Sequence, residues 1–405
     1  MKGFWNLVGF EYKKILCKKN VQVSLLLSIL ITVFSVPATL LGDYYVDGKP
    51  YESNYEAMVK DRTYARTLSG QPLDTGLIME TVNVYAQIPL SDVYQSTQEY
   101  QTIARPYSLI YGTIRSVFNT ASKRFNMEDF QMLTEVQADD YYNTRHEKLT
   151  QHILQTHMSD KAKEQVLAMD EQIKTPLTFS YTDGYTRYFV MINTLGLFSA
   201  FVTAICVAPL FSGEYTSGAD QLILSAKYGK NRLIGAKLFT GYSLTAILGL
   251  AQLALAFCLS LAVFGGDGGS APLQLHIILS PYPLTMTQTA LLLTVASLFA
   301  YFMTAAIIML LSAKLKSPFG VIVLVSVLLI APMLGSVSEQ NILLYNLYHL
   351  FPTQMTSLAS VVSVIQYELG SFVIHPYMFL PLFALAVSTL LIPFAYRAFN
   401  KHQIS

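Results

Sequence analysis

Six long apolar runs interrupt this 405-residue chain, and none contains an Asp, Glu, Lys or Arg. They cover residues 21–41, 188–210, 238–264, 284–311, 319–334 and 376–396. About 20 consecutive apolar residues suffice to cross a bilayer as a helix. In lipid only helices and closed barrels satisfy every backbone polar group, and unbroken apolar runs fit helices. Only 13% of the residues are charged, about half the share of a soluble domain, so a set of soluble domains is excluded. The predicted class is an all-α membrane protein with six transmembrane helices. A cleaved signal peptide is the rival reading of the first run. Its apolar stretch is long for that role and no small-x-small site follows Leu41, so an uncleaved span is expected.

Basic residues set the orientation. Outside residues 43–187 there are 13, namely Lys2, Lys13, Lys14, Lys18, Lys19, Lys227, Lys230, Arg232, Lys237, Lys314, Lys316, Arg397 and Lys401. Six spans with a cytoplasmic N-terminus put all of them on the cytoplasmic side. The connections 265–283 and 335–375 carry none and fall outside. Residues 43–187, with 20 acidic and 14 basic residues, then form a large extracytoplasmic insert between spans 1 and 2. The expected localisation is a cell (plasma) membrane, multi-pass, with both termini cytoplasmic.

The expected domains are a cytoplasmic interfacial helix (1–20), the first span (21–42), the outer domain (43–187), and spans 2–6 (188–405) with a cytoplasmic coupling segment (211–237). In the first of these, Trp5, Val8, Tyr12, Ile15 and Leu16 recur at helical spacing beside Lys13, Lys14, Lys18 and Lys19. That pattern suits an N-terminal amphipathic helix lying in the interface; a plain basic flank is the alternative. The insert reads as mainly helical, with helices expected at 55–68, 90–104, 107–122 and 140–157. Stretch 335–375 is expected to hold short helices. Cys17, Cys206 and Cys258 lie outside the insert, so no disulfide framework holds it.

A polar stretch, PLFSGEYTSGADQLILSAKYGKNRLIGAKLF, separates the second and third runs. Ser217-Gly-Ala-Asp220 has the spacing of a capping box, Asp220 suits a helix N-terminus, Lys227 a C-terminus, and Gly229 a stop. A short helix is predicted over 218–228, with Leu222, Ile223 and Leu224 as its apolar patch. Glu214 sits at the C-terminal end of the second span, where the dipole disfavours an anion. Arg232 and Lys237 are its nearest candidate partners; a solvated loop carboxylate is the plainer alternative.

At these residues the chain resembles the permease subunits of the ABC-2 type transporter family. The carriers are Phe211-Ser-Gly-Glu214, Gly218, Leu222-Ile-Leu-Ser225, Arg232 and Gly235-Ala-Lys237. The family's proline after the Leu-Ser element is replaced by Ala226-Lys-Tyr. The resemblance implies that Glu214, Gly218, Asp220, Leu222, Ile223 and Leu224 couple the spans to a separate ABC ATPase (nucleotide-binding) subunit. It also implies a second permease copy or related permease. The expected function is an ATP-driven exporter whose cargo is an amphipathic peptide, a lipid or a drug-like molecule.

The chain itself is not expected to be an enzyme. Gly229-Lys-Asn-Arg-Leu-Ile-Gly235 lacks the Lys-Ser/Thr of a phosphate-binding loop. His146 and His152 are six apart, whereas a zincin needs four, and His157 lies beyond. No metal, cofactor or nucleic acid is expected. The spans lack the ionisable residue that a proton-coupled carrier uses. The alternative from another class is a receptor or scaffold that binds a ligand through its outer domain and signals through a partner, since only a nine-residue tail, 397–405, follows the last span.

Overall fold

The computed structural model describes residues 2–91, 93–120, 124–226 and 229–401. The structure is mostly helical, 73% helix, and among the described residues the strands are confined to two short hairpins. Helix α1 (Lys2–Leu16) meets α2 (Lys19–Ser35) at a bend of 75°. A hairpin of β1 (Asp43–Val46) and β2 (Lys49–Ser53) follows, turning through Asp47 and Gly48 at φ 48° and 73°. Two successive positive φ angles match the strand twist and favour glycine. Ser53 then forms a capping box with Glu56 and starts α3 (Asn54–Leu68). Asp74 caps α4 (Thr75–Tyr85), and α5 covers Ser108–Phe118.

The helix expected at 90–104 forms only over its second half. Tyr94–Ser96 makes one tight turn, and residues 98–104 form a helical stretch, wide over Tyr100–Ala104, that leads through Arg105–Tyr107 into α5. Thr97 marks its start: the Thr97 hydroxyl accepts the Tyr100 amide at 3.3 Å and donates to Tyr94 O at 2.7 Å. A threonine in that place satisfies one of the free amides of a helix start. Four helices complete the insert: α6 (Met127–Gln131), α7 (Glu135–Asp139), α8 (Tyr141–Gln155) and α9 (Asp160–Asp170).

The later helices are long. They are α10 (Asp183–Val207), α11 (Pro209–Ser217), the short α12 (Ala219–Ser225), α13 (Ile234–Phe264), α14 (Met286–Lys314) and α15 (Pro318–Ile330). Two short helices, α16 (Ile342–His349) and α17 (Leu358–Val361), precede a hairpin of β3 (Tyr367–Leu369) and β4 (Phe372–Ile374). Helix α18 (Pro376–Asn400) follows. Among the described residues, four stretches are long and apolar enough to cross a membrane: 183–217, 231–264, 286–314 and 376–400. The bent pair α1–α2 makes a fifth if counted as one span. The run expected as span 5 forms a 13-residue helix, α15, continued by one tight turn through Leu334.

The chain divides into two compact units. The first unit comprises Met1–Phe34, Phe189–Ala256 and Leu291–Ser405. Its core brings together Val21, Ala204, Phe211, Leu238, Ile308, Val325 and Phe399. Gln252 of α13 accepts a hydrogen bond from Ser28 Oγ at 3.2 Å and donates to Thr32 Oγ1. These buried polar groups satisfy one another between two otherwise apolar helices.

The second unit comprises Ser35–Tyr188 and Phe257–Ala290. Its core is aromatic: Tyr85 stacks on Tyr111 at 4.4 Å, and Phe130 meets both edge-on. Arg105 is buried and holds Glu52 at 2.5 Å, Asp61 at 2.6 Å and Ala57 O at 3.0 Å, tying the β1–β2 hairpin to α3. Arg145 of α8 reaches across 133 residues of sequence to donate to Ile278 O at 2.7 Å, and to Ser280 O at 2.9 Å. Asp170 pairs with Arg145 at 2.8 Å, and also accepts His146 Nδ1 at 2.8 Å. The stretch 265–283, expected as a plain short connection, is therefore part of the fold of this unit.

Arg145→Ala strands the buried Asp170 carboxylate and two carbonyls. Removing one partner of a buried pair costs about 3–5 kcal/mol. The full chain in detergent should show faster limited proteolysis within 257–290 and a lower unfolding temperature. Unchanged cleavage would show that the clamp does not hold this loop.

Candidate functional site

The site is built on a helix break. Pro209 has no amide proton, so α10 and α11 meet at a joint where backbone groups lose their partners. Ser312 of α14 fills the joint: its hydroxyl donates to Ala208 O at 2.5 Å and accepts the Phe211 and Ser212 amides at 3.1 and 3.0 Å. The far end of α11 is anchored too. Tyr215 donates to Ala313 O at 2.8 Å and Thr216 to Lys316 O at 2.9 Å. Phe211 is fully buried and packs on Phe399 at 4.9 Å.

This rigid segment carries Glu214 inward. Glu214 is 2% exposed, and its Oε1 lies 2.5 Å from Lys237 Nζ and 2.5 Å from Lys14 Nζ. Lys237, on α13, is 0% exposed and also holds Glu11 Oε1 at 2.8 Å. Two carboxylates and two ammonium groups thus form a largely buried charge cluster that joins α1, α11 and α13, with Lys18 close enough to interact with all four. Arg232, the other candidate partner, lies in the wide turn Gly229–Leu233 before α13. The cations that reach Glu214 are Lys14 and Lys237.

Glu11 was missing from the sequence reading. It is the only acidic residue in α1. It falls three after Val8 and four before Ile15, both buried like itself. An acid on the apolar stripe of a lysine-rich helix was the available signal. Trp5, expected on the same apolar face, is exposed and packs edge-on against Phe4 and Phe239. Tyr12 donates to Ser243 Oγ at 2.7 Å, so α1 is also bound to α13 away from the charges.

Beyond Ser217 the chain turns at Gly218, whose φ of 68° is left-handed and favours glycine. The expected capping box is not made. The preceding helix runs through Ser217, whose hydroxyl donates back to Gly213 O at 2.9 Å, and α12 has no side-chain cap. Gly218 acts as the joint between two helices instead. The helix expected over 218–228 is the seven-residue α12, with Asp220 buried in its first turn. Leu222 is 77% exposed, whereas Ile223 packs against the core of the first unit. The side chain of Leu224, and residues Lys227 and Tyr228, lie outside the described residues. Gly229 is needed for close approach and not as a stop: a Cβ there would lie 1.6 Å from Ile223 O.

The geometry therefore gives a short helix whose Leu222 is bare, joined through Gly218 to a segment held by buried charge. Lys237→Met leaves Glu11 and Glu214 facing each other without their shared cation, and should destabilise the protein by about 3–5 kcal/mol. Adding Glu11→Gln and Glu214→Gln should recover part of that loss, because groups in one network are not additive. Thermal unfolding in detergent reads both; equal loss in the single and triple variants would disprove the coupling.

A family model described as ABC-2 family transporter protein matches residues 55–392. No curated protein and no solved structure matches the chain.

Proposed function

Because the chain belongs to the ABC-2 family of transporters, we propose that it is the permease subunit of an ATP-driven exporter, coupled to its ATPase through residues 211–237. It is a multi-pass membrane protein, and members of this family are the membrane component and not the catalytic one. In the proposed assembly a separate ABC ATPase hydrolyses ATP and a second permease copy completes the path. The cargo class is an amphipathic peptide, lipid or drug-like molecule.

The observation that carries this reading is the pairing of an exposed apolar residue with a buried charge cluster on one continuous segment. Leu222 on α12 is available to a partner, and Glu214, four residues before the Gly218 hinge, is fixed to two other helices. Docking at α12 would then move α1, α11 and α13 together.

The topology reading has its own support. A helix of 17 residues, as α2 is, rises about 25 Å, close to the roughly 30 Å of a hydrocarbon core. Helix α15 with its terminal turn is of similar length. Counting both gives six spans. The clamp from Arg145 to the carbonyls of Ile278 and Ser280 requires the insert and the α13–α14 connection to share one side of the membrane. Six spans with inward termini place both outside. We place the path along a mostly apolar cavity of about 340 Å³ among the helices of the first unit, where Ser28, Ser199 and Gln252 would suit a cargo with some hydrogen-bonding groups.

Leu222→Asp tests the coupling directly, since the side chain is exposed and the change spares the core. Purification in mild detergent from the native host should recover a P-loop ATPase with the wild-type chain, and at least tenfold less with the variant. Equal recovery at equal unfolding temperature would refute α12 as the docking element. Absence of any ATPase from the folded wild-type complex would favour the receptor reading.

A further inference from the structure

We propose that the second unit holds a binding cleft for an extended peptide with an anionic end, between segment 174–180 and the loop 270–285. The cleft has a volume of about 700 Å³, within the range of roughly 300–1,000 Å³ typical of ligand pockets. One wall is continuous chain, including Lys174, Thr178 and Ser180; Ser270, Pro272 and Thr285 face it from the other.

The first wall is an unused strand edge. Leu177 and Phe179 are buried, while Thr178 between them is exposed. The Leu73 amide donates to Leu177 O at 2.8 Å, the Phe179 amide to Gln71 O at 2.9 Å, and the Gly70 amide to Phe179 O at 2.9 Å. The Leu177 amide is taken by Tyr142 Oη at 2.8 Å. In an extended chain successive peptide groups point to opposite edges. Bonds from Leu177 and Phe179 therefore turn the amide and carbonyl of Thr178 and Ser180 the other way. Among the described residues those backbone groups have no protein partner. The edge is short, and the facing wall does not pair with it.

An incoming strand is the chemistry that fits. Backbone groups repeating every two residues match another backbone, which is how peptides add to sheet edges. A ligand of three or four residues spans both Thr178 and Ser180. Hydroxyls of Thr178, Ser180 and Ser270 supply side-chain partners, and the remainder of the lining mixes glutamines with apolar residues such as Leu284 and Pro272. The cleft has no acidic lining residue and one cation, Lys174, although the insert carries 20 acidic residues against 14 basic ones. The local charge therefore favours a terminal carboxylate near Lys174. These residues belong to the second unit and 211–237 to the first, so the cleft does not depend on the coupling reading and would serve an exporter or a receptor alike.

The test uses the full chain in detergent and a pool of N-acetylated tetrapeptides with a photoreactive benzoylphenylalanine at the second position and a free carboxylate. After illumination and digestion, adducts are mapped by mass spectrometry. Adducts are expected within 172–180 and 270–288, and at least tenfold fewer from a pool N-methylated on its backbone amides. Thr178→Pro removes the edge amide and should cut labelling at least tenfold. Ser270→Trp fills the cleft from the facing wall and should do the same, so the outcome does not hang on one variant folding. Lys174→Glu should lower labelling severalfold, as should an amidated pool. Absence of adducts, adducts elsewhere, or equal labelling by the N-methylated pool would overturn the proposal.

Discussion

The Lys237 side chain has no exposed surface, and much of the first unit is arranged around that fact. An isolated ammonium group in a low-dielectric interior costs several kcal/mol even after relaxation. Glu11 and Glu214 offset that cost only by approaching within hydrogen-bond distance. Their approach requires α1 to lie against α13 and requires α11 to present Glu214 inward. Lys14, partly exposed, balances the second carboxylate. A buried ion pair is weak evidence for stability but good evidence for a fixed register. Here it fixes α1 against two helices some 200 residues later in the sequence.

The Pro209 joint lies between α10 and the segment that carries Glu214. Proline cannot donate there. Ser312 supplies and accepts hydrogen bonds at the joint, and α11 continues the helical stretch 183–217 beyond it. Gly218, nine residues on, lets the chain turn out of α11. The result is a chain of short rigid pieces, each anchored, ending in an exposed Leu222. Short anchored pieces transmit displacement better than a solvated loop, which supports reading this segment as a relay.

The second unit solves a different problem. It lacks disulfides and is held instead by stacked tyrosines and two buried arginines. Arg105 and Arg145 suit that role because a planar guanidinium donates in several directions at once. Arg145 also recruits a distant loop, so the unit is discontinuous in sequence.

Much of this was legible in the residues. The apolar runs at 188–210, 238–264, 284–311 and 376–396 correspond to long helices, because a continuous apolar run of that length has no other way to satisfy its backbone in lipid. The helical character of the insert and the family also followed from local pattern and motif. Other features depended on contacts that no local pattern encodes. The helix expected at 90–104 begins only after Thr97, whose side chain bonds its first turn, and Ser217 bonded backward instead of capping forward. Which cation meets Glu214 was undecided between Arg232 and Lys237, and Glu11 was invisible as a partner because it lies 226 residues from Lys237. Sequence determines what each segment must do about its own hydrogen bonds and its own apolar surface. Pairing of buried charges is decided by which helix faces come together, and only the tertiary structure makes that choice.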